Sequence, residues 1–376
     1  MSSHILDIEQ RLEERKQKGL GRILRNLGGG IDFCSNDYLG LARSQAVKRR
    51  VIKALEEQTI IGGSGSRLVS GDNSYYHQLE DFIARYHRAE SALIFNSGYT
   101  ANLSLFSTLP RRADTVLYDQ AVHASIRDGI RLGTAKSFSF RHNDISDLLK
   151  KAENATGQVY IVTESVFSMD GDLAPLSDLS ELVKERGFRL VVDEAHAVGV
   201  FGPGGSGRVV AEGLEDFVFA RIITFGKALG AFGAAVLGSE ILREWLINSA
   251  RPFIYTTALS LPALAHIEAA YQELKSREDL RERLTALIAF FKKRAKESSL
   301  PLIANDSAIQ QLRVSGNQNV LDLADALIGC GFDVRAYRSP TVPAGTERIR
   351  ICLHAFNKEE QVNELIMRAE DYLSRA

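Results

Sequence analysis

The chain has 376 residues, 45% hydrophobic and 25% charged, with a formal net charge of −1. That length suits a large domain plus a smaller one, and the near-neutral charge gives no electrostatic basis for a nucleic acid or an anionic membrane as partner. Cys34, Cys330 and Cys352 are scattered without metal-ligand spacing, and no run is long enough to span a bilayer, so the expectation is a cytoplasmic protein of a reducing compartment with no metal site.

Residues 4–18 read as a charge-rich amphipathic helix, with Ile5, Ile8 and Leu12 at helical spacing. Gly28-Gly29-Gly30 is a break, Ile31 to Cys34 a short strand, and Ser35 to Gly40 a turn. A helix follows from Gln45 to Glu57, then a glycine-serine loop, Ile61 to Leu68, and a helix from Asn73 to Tyr86. From here strands alternate with helices. The strands fall at 92–95, 115–118, 136–140, 158–163, 188–193 and 219–224, and the helices at 100–108, 123–131, 144–151 and 177–186. Such alternation predicts an α/β protein whose mostly parallel sheet has helices on both faces. Beyond Gly238 the texture changes to helices at 239–250 and 261–298, the second very long. The remainder reads as a small α+β unit, with strands at 309–314 and 348–353 and helices at 319–329 and 357–374. The expected division is an N-terminal segment 1–40, a large domain 41–275 and a C-terminal α+β domain 276–376.

The stretch Arg189 to Gly230 carries the sharpest chemistry. One apolar run ends in Asp193-Glu194-Ala195-His196, and another in Thr224-Phe225-Gly226-Lys227. Side chains at the ends of parallel strands converge at one sheet edge, where α/β proteins place ligands. A lysine becomes a nucleophile or base when its charge is disfavoured locally, and small neighbours let a planar group approach. An acid at a strand end can hold a protonated ring nitrogen, as pyridoxal 5'-phosphate (PLP) requires. Taken singly, Lys227 also reads as a solvated loop lysine, Asp193 as a cap or ion pair, and His196 as structural. Ser97-Gly98-Tyr99 at a strand-to-helix junction, Thr224, and Tyr255-Thr256-Thr257 offer phosphate ligands, though Ser and Thr also cap helices. Gly202 to Gly207 matches GxGxxG, but it is separated from the 188–193 strand and Pro203 spoils the tight turn. Gly226-Lys227 is no phosphate-binding P-loop, because position 221 is Arg and 228 is Ala.

In this order and spacing the motifs resemble one family. They are Ser35 to Leu41, Gly63 to Leu68 with Ser70-Gly71, Asn96 to Tyr99, Asp119 with His123-Ala124-Ser125, Arg141 to Asp144, Glu164 to Asp172, Asp193 to His196, Thr224 to Lys227, and Arg348-Ile349-Arg350. The chain is similar over nearly its whole length to the α-oxoamine synthases, a branch of the fold-type I PLP enzymes. The resemblance implies a seven-stranded, mostly parallel sheet with a smaller C-terminal domain, and a homodimer with its sites at the subunit interface. It implies PLP bonded to Lys227, with His123 stacked on the ring, Asp193 at the ring nitrogen, and His196 and Ser168 at the phenolic oxygen. Ser97, Gly98, Tyr99 and Thr224 hold the phosphate side, with Thr256 or Thr257 arriving from a second subunit. Asn36 and Arg350 serve the substrate, Arg350 as a planar clamp for the amino-acid carboxylate. The implied reaction joins L-alanine to a pimeloyl thioester, carried on CoA or acyl carrier protein, with loss of CO2, a step of biotin biosynthesis. Arg22 matches the family position for the acyl chain's far carboxylate; its other reading is a surface arginine at a basic helix end near Lys16, Lys18 and Arg25. The sister reading is a glycine C-acetyltransferase or serine palmitoyltransferase. A nucleotide-binding oxidoreductase or non-catalytic binding protein on the same scaffold is the remote one.

Overall fold

Alternating apolar strands and amphipathic helices lead the chain repeatedly across one sheet. The computed structural model describes residues 3–17, 20–22, 24, 29–56 and 58–375. It opens with α1 (Ser3–Gln17), β1 (Ile31–Asp32), α2 (Gln45–Glu56) and α3 (Ser74–Tyr86). The alternating part runs β2 (Ser91–Phe95), α4 (Gly98–Thr108), β3 (Thr115–Asp119), α5 (Ala124–Leu132), β4 (Lys136–Phe140), α6 (Ile145–Ala152), β5 (Val159–Glu164), α7 (Leu176–Arg186) and β6 (Arg189–Asp193). It ends with the short α8 (Arg208–Ala211), β7 (Val218–Thr224) and β8 (Ala234–Gly238). Four helices follow: α9 (Glu240–Ser249), α10 (Arg251–Ile254), α11 (Leu261–Ser276) and α12 (Glu278–Glu297). The last part is β9 (Leu302–Ile303), β10 (Ile309–Arg313), α13 (Asn317–Gly329), β11 (Phe332–Asp333), β12 (Arg335–Tyr337), β13 (Arg348–Cys352) and α14 (Glu359–Leu373).

The large sheet has seven strands in the order β2-β8-β7-β6-β5-β3-β4, all parallel except β8, which runs against both neighbours. Alternate residues of a strand point to opposite faces, and here each face has its own core. Ile223, Ala235, Leu237 and Ile94 pack on one side with Leu79 and Ile83 of α3 and Leu264 of α11. Ile222, Ala234, Val236 and Leu93 pack on the other with Leu105 of α4, Ile126 of α5 and Leu179 of α7. The smaller sheet is antiparallel, ordered β12-β13-β10-β9.

Several elements differ from the expectation. The first strand stops at Asp32, because its Oδ1 accepts the amides of Cys34 (3.0 Å) and Ser35 (2.9 Å) and turns the chain. Its two residues pair with β11, far along the chain. The long helix expected over 261–298 is two helices. Arg277, at φ −123° and ψ 61°, leaves the helical region, and its Nε pairs with Asp279 at 2.7 Å. The strand β8 was not foreseen, nor were β9, β11 and β12. The glycine-serine loop ends in a single π turn over Arg67–Gly71. Ile8 and Leu12 of α1 are exposed; the side chain of Ile5, and Lys18, Arg25 and Gly28, lie outside the described residues. The GxGxxG stretch builds a short 3-10 turn, and a Cβ at Gly207 would lie 2.6 Å from Glu194 Oε2, so this glycine serves packing. Among the described residues no helix is long and apolar enough to cross a membrane.

Candidate active site

Strands β2, β3, β5, β6 and β7 all run the same way, so their C-terminal ends share one edge. That edge gathers Ser97, Asp119, His123, Glu164, Ser168, Asp193, His196, Thr224 and Lys227, each at a strand end or in the following loop. Asp193 is 5% exposed. Its Oδ1 accepts from the Ala195 amide at 2.9 Å, and its Oδ2 from Asn102 Nδ2 at 2.8 Å. Asn102 also donates to Ser125 Oγ at 3.1 Å, and Ser125 Oγ lies 2.7 Å from His123 Nδ1. One line of hydrogen bonds thus connects Asp193 to His123, whose ring is exposed and meets Tyr99 edge-on at 6.5 Å between centroids.

Glu164 holds two segments of the site together. Its Oε1 accepts the amide of His123 at 2.6 Å, and its Oε2 the amide of Ser168 at 3.2 Å. Burial, then the charge of Asp193, push its carboxyl up to about 8, against the opposing pull of Lys227. The ammonium of Lys227 is disfavoured: burial lowers its pKa, with Asp193 and Glu164 opposing and Arg350 adding to the fall. The Lys227 carbonyl accepts the Gly230 amide at 2.8 Å, whereas among the described residues its Nζ makes no hydrogen bond. A lysine shifted in this direction has more neutral amine for attack on a carbonyl carbon or for taking a proton.

A corner suited to an anion lies at the start of α4. Ser97 is its N-cap, tied reciprocally to Thr100. The first-turn amides of Gly98 and Tyr99 have no acceptor among the described residues, which suits an anion there. Thr224 closes the same corner: a Cβ at Gly98 would lie 2.6 Å from Thr224 Cγ2. The Tyr99 hydroxyl donates to Asp128. Thr256 and Thr257 lie against Asn96 of their own chain, whose Nδ2 donates to Thr256 Oγ1 (3.3 Å) and the Thr257 carbonyl (3.0 Å).

On the other side, Arg350 projects from β13 and is 6% exposed. Its Nη2 donates to Asn36 Oδ1 at 2.5 Å and to the Tyr38 hydroxyl at 3.3 Å, and its buried Nε has no partner. An unpaired guanidinium N–H in such burial suits a carboxylate. Arg350 also interacts with the phenol of Tyr337, and Tyr337 lines a cavity of about 860 Å³ with Arg15, Arg22, Leu24, Arg335 and Arg338. Arg22 therefore stands in this arginine-lined cavity, whose lining includes neither Lys227 nor Arg350. Glu164, Asn102 and Tyr38 are the residues of the site for which the sequence reading had no role. Glu164 and Tyr38 stand inside quoted motifs; Asn102 carries no local signal.

Three comparisons bear on this geometry. A family model described as aminotransferase class I and II matches residues 29–368. An 8-amino-7-oxononanoate synthase of Emericella nidulans is 42% identical, over 98% of this chain and 95% of its own. Among solved structures, 8-amino-7-oxononanoate synthase from Francisella tularensis superposes with a TM-score of 0.79 at 29% identity, over 92% of this chain and 98% of that one. Serine palmitoyltransferase from S. paucimobilis with a bound PLP–myriocin aldimine does so with a TM-score of 0.89 at 26% identity, over 98% of both chains.

Proposed function

The chain belongs to the aminotransferase class I and II family, and we propose that it performs the 8-amino-7-oxononanoate synthase reaction. L-Alanine and a pimeloyl thioester, on CoA or on acyl carrier protein, give 8-amino-7-oxononanoate, CO2 and the free thiol. The α-carbon of alanine bonds to the thioester carbonyl carbon, the C–S bond breaks, and the alanine carboxyl leaves as CO2. The observation that carries this choice is the near-full-length likeness to an 8-amino-7-oxononanoate synthase.

The cofactor is PLP, and the residues fit it: two unpartnered amides at a helix start crowded by Thr224, a buried acid with both oxygens held, and a lysine of lowered pKa. When bound, PLP supplies a protonated ring that accepts the electron pair released at the amino acid's α-carbon. Asp193 holds the proton on the ring nitrogen. His123, His196 and Ser168 would hold the ring, His123 at its face and His196 as a donor toward the phenolic oxygen beside Ser168. Ser97, Gly98, Tyr99 and Thr224 take the phosphate, joined by Thr256 or Thr257 from a second copy of the chain. Lys227 would carry the cofactor, and its Nζ would be the base that takes the α-proton of the amino acid. Its lowered pKa leaves more neutral amine for that transfer near neutral pH. Arg350 and Asn36 receive the alanine carboxylate, and Arg22 the far carboxylate of the acyl chain. A homodimer is supported by the exposed Ile60, Ile61, Leu68, Val69 and Tyr255. A cytoplasmic location accords with this chemistry. The division into 41–275 and 276–376 is supported by the helix break at Arg277.

The test is thiol release over a matrix of acyl thioesters and amino acids. Best turnover with L-alanine and a pimeloyl thioester is expected; best turnover with glycine and acetyl-CoA, or serine and palmitoyl-CoA, overturns the choice. A PLP absorbance band that disappears in Lys227→Ala is expected alongside.

A further inference from the structure

Resting on the reading above, Arg350 serves the substrate and His196 the cofactor, yet one phenol touches both. The Tyr38 hydroxyl lies 2.7 Å from His196 Nδ1, 3.1 Å from Asn36 Oδ1 and 3.3 Å from Arg350 Nη2. Tyr38 is 1% exposed and His196 5%, so bulk water does not substitute for these partners. We infer that Tyr38 is a positioning residue that sets the tautomer of His196 and makes that tautomer respond to a carboxylate at Arg350.

The argument is a count of protons. A phenol has one proton to give and can accept from others. Arg350 only donates, so it takes a lone pair of the Tyr38 oxygen. The single Tyr38 proton then goes either to His196 Nδ1 or to Asn36 Oδ1. Burial, with Lys227, Arg350 and His123 adding to it, holds His196 well below its ordinary pKa, so its ring is neutral and has one N–H. If Tyr38 donates to Nδ1, the ring proton sits on Nε2, which has no partner among the described residues and is free to donate to a bound group. If Tyr38 donates to Asn36, His196 must donate from Nδ1, and Nε2 becomes an acceptor. In the chain as it stands, Asn36 Oδ1 is already engaged by Arg350 at 2.5 Å, and the His196 contact is the shorter of the two. The Tyr38 proton therefore belongs on His196. A carboxylate that draws Arg350 Nη2 away frees Asn36 Oδ1 and changes that balance. The other groups facing Tyr38 are Cys352, Tyr337 and the ring of His354, stacked at 6.4 Å.

The experiment uses the PLP-loaded protein and propionate, which offers a carboxylate to Arg350 but has no amine to react. The pH midpoint of the cofactor absorbance is measured with and without propionate, in wild type, Tyr38→Phe and Asn36→Ala. Propionate is expected to move the wild-type midpoint by about 0.5–1 pH unit, the scale of one hydrogen bond. Tyr38→Phe should move the midpoint without propionate and lose most of the propionate response, while still binding propionate. Asn36→Ala, which removes the competing acceptor, should also lose most of the response. Ring ¹⁵N resonances should give an Nε2–H tautomer in wild type and a mixture in Tyr38→Phe. A normal absorbance band whose midpoint and propionate response are unchanged in both variants overturns the relay alone. No band in wild type overturns the cofactor reading and the relay with it.

Discussion

Glu164 and Asp193 stand opposite each other, in register, at the ends of β5 and β6. Two buried carboxylates this close cannot both ionise without cost, and it is Glu164 that is pushed up, to about 8. Its folded-state pKa thus lies above the ordinary 4.5. Between those values the folded chain binds more protons than the unfolded one, so stability falls as pH rises from about 4.5 to about 8. Glu164→Gln removes this titration. Urea midpoints of the cofactor-free protein should therefore fall less steeply with pH in the variant over that window. At about pH 5 the variant should be less stable by about 1 kcal/mol, because an amide NH2 cannot accept the second of the two backbone N–H groups. Parallel pH profiles would show that Glu164 does not titrate there.

His142 has the opposite electrostatic setting. It lies 2.9 Å from Asp119 and 2.7 Å from Asp172, with its ring edge-on to Phe167 at 4.3 Å. Burial disfavours its charge, but the hydrogen bonds to both acids outweigh burial and raise the pKa to about 10. The resulting stabilisation is complete below about 6.5 and is lost as pH rises through about 10. This bridge ties β3 to the loop after β5, while Arg348 ties the neighbouring Asp170 to β13. His142→Asn should lower the thermal midpoint most just below pH 6.5, and the difference from wild type should shrink as pH approaches about 10. A difference independent of pH would assign the loss to packing on Phe167 instead.

The large sheet was legible because its strands are β-branched runs that end abruptly in polar residues, as at Val191-Val192-Asp193. That same pattern put Asp193, Thr224 and Lys227 at one edge. β8 has no local signal because Ala234 and Ala235 are weak strand formers between glycines, and only pairing with β2 and β7 makes them a strand. The helix break at Arg277 was hidden because Glu278 and Asp279 continue the charged helical pattern while also starting a new helix. The partners of the site residues were hidden for another reason. Asn102 meets Asp193 across 91 positions, and Tyr38 meets His196 across 158. Local spacing carries no trace of such pairs.

Asn102 should matter for the cofactor without touching the substrate. Its amide is the side-chain donor to Asp193 Oδ2 and also reaches Ser125, the partner of His123. Asn102→Ala leaves a buried carboxylate oxygen without that donor, a loss of about 1–3 kcal/mol. Titration of the cofactor-free protein with PLP should show affinity reduced by about tenfold or more, since each 1.4 kcal/mol is tenfold. Asn102→Asp should be worse than Asn102→Ala, because it sets a third acid beside Asp193 and Glu164. Equal PLP affinity in wild type and Asn102→Ala would mean that the Ala195 amide alone suffices to hold Asp193.

Gly98 offers a test of the anion corner that can be reversed. Its backbone does not need a glycine's positive φ, so a substitution there acts through space alone. An added Cβ would sit 2.6 Å from Thr224 Cγ2, well inside contact distance. Either α4 or the end of β7 must move, and both carry groups assigned to the phosphate. Gly98→Ala should weaken PLP binding by about tenfold, consistent with an overpacking cost of about 1–3 kcal/mol. Thr224→Ser deletes the offending methyl and keeps the hydroxyl. The double variant Gly98→Ala/Thr224→Ser should therefore recover most of the affinity, while Thr224→Ser alone should change it little. The readout is the PLP dissociation constant of the cofactor-free protein, followed by absorbance. Failure of Thr224→Ser to rescue would show that the crowding at Gly98 is not what organises the corner.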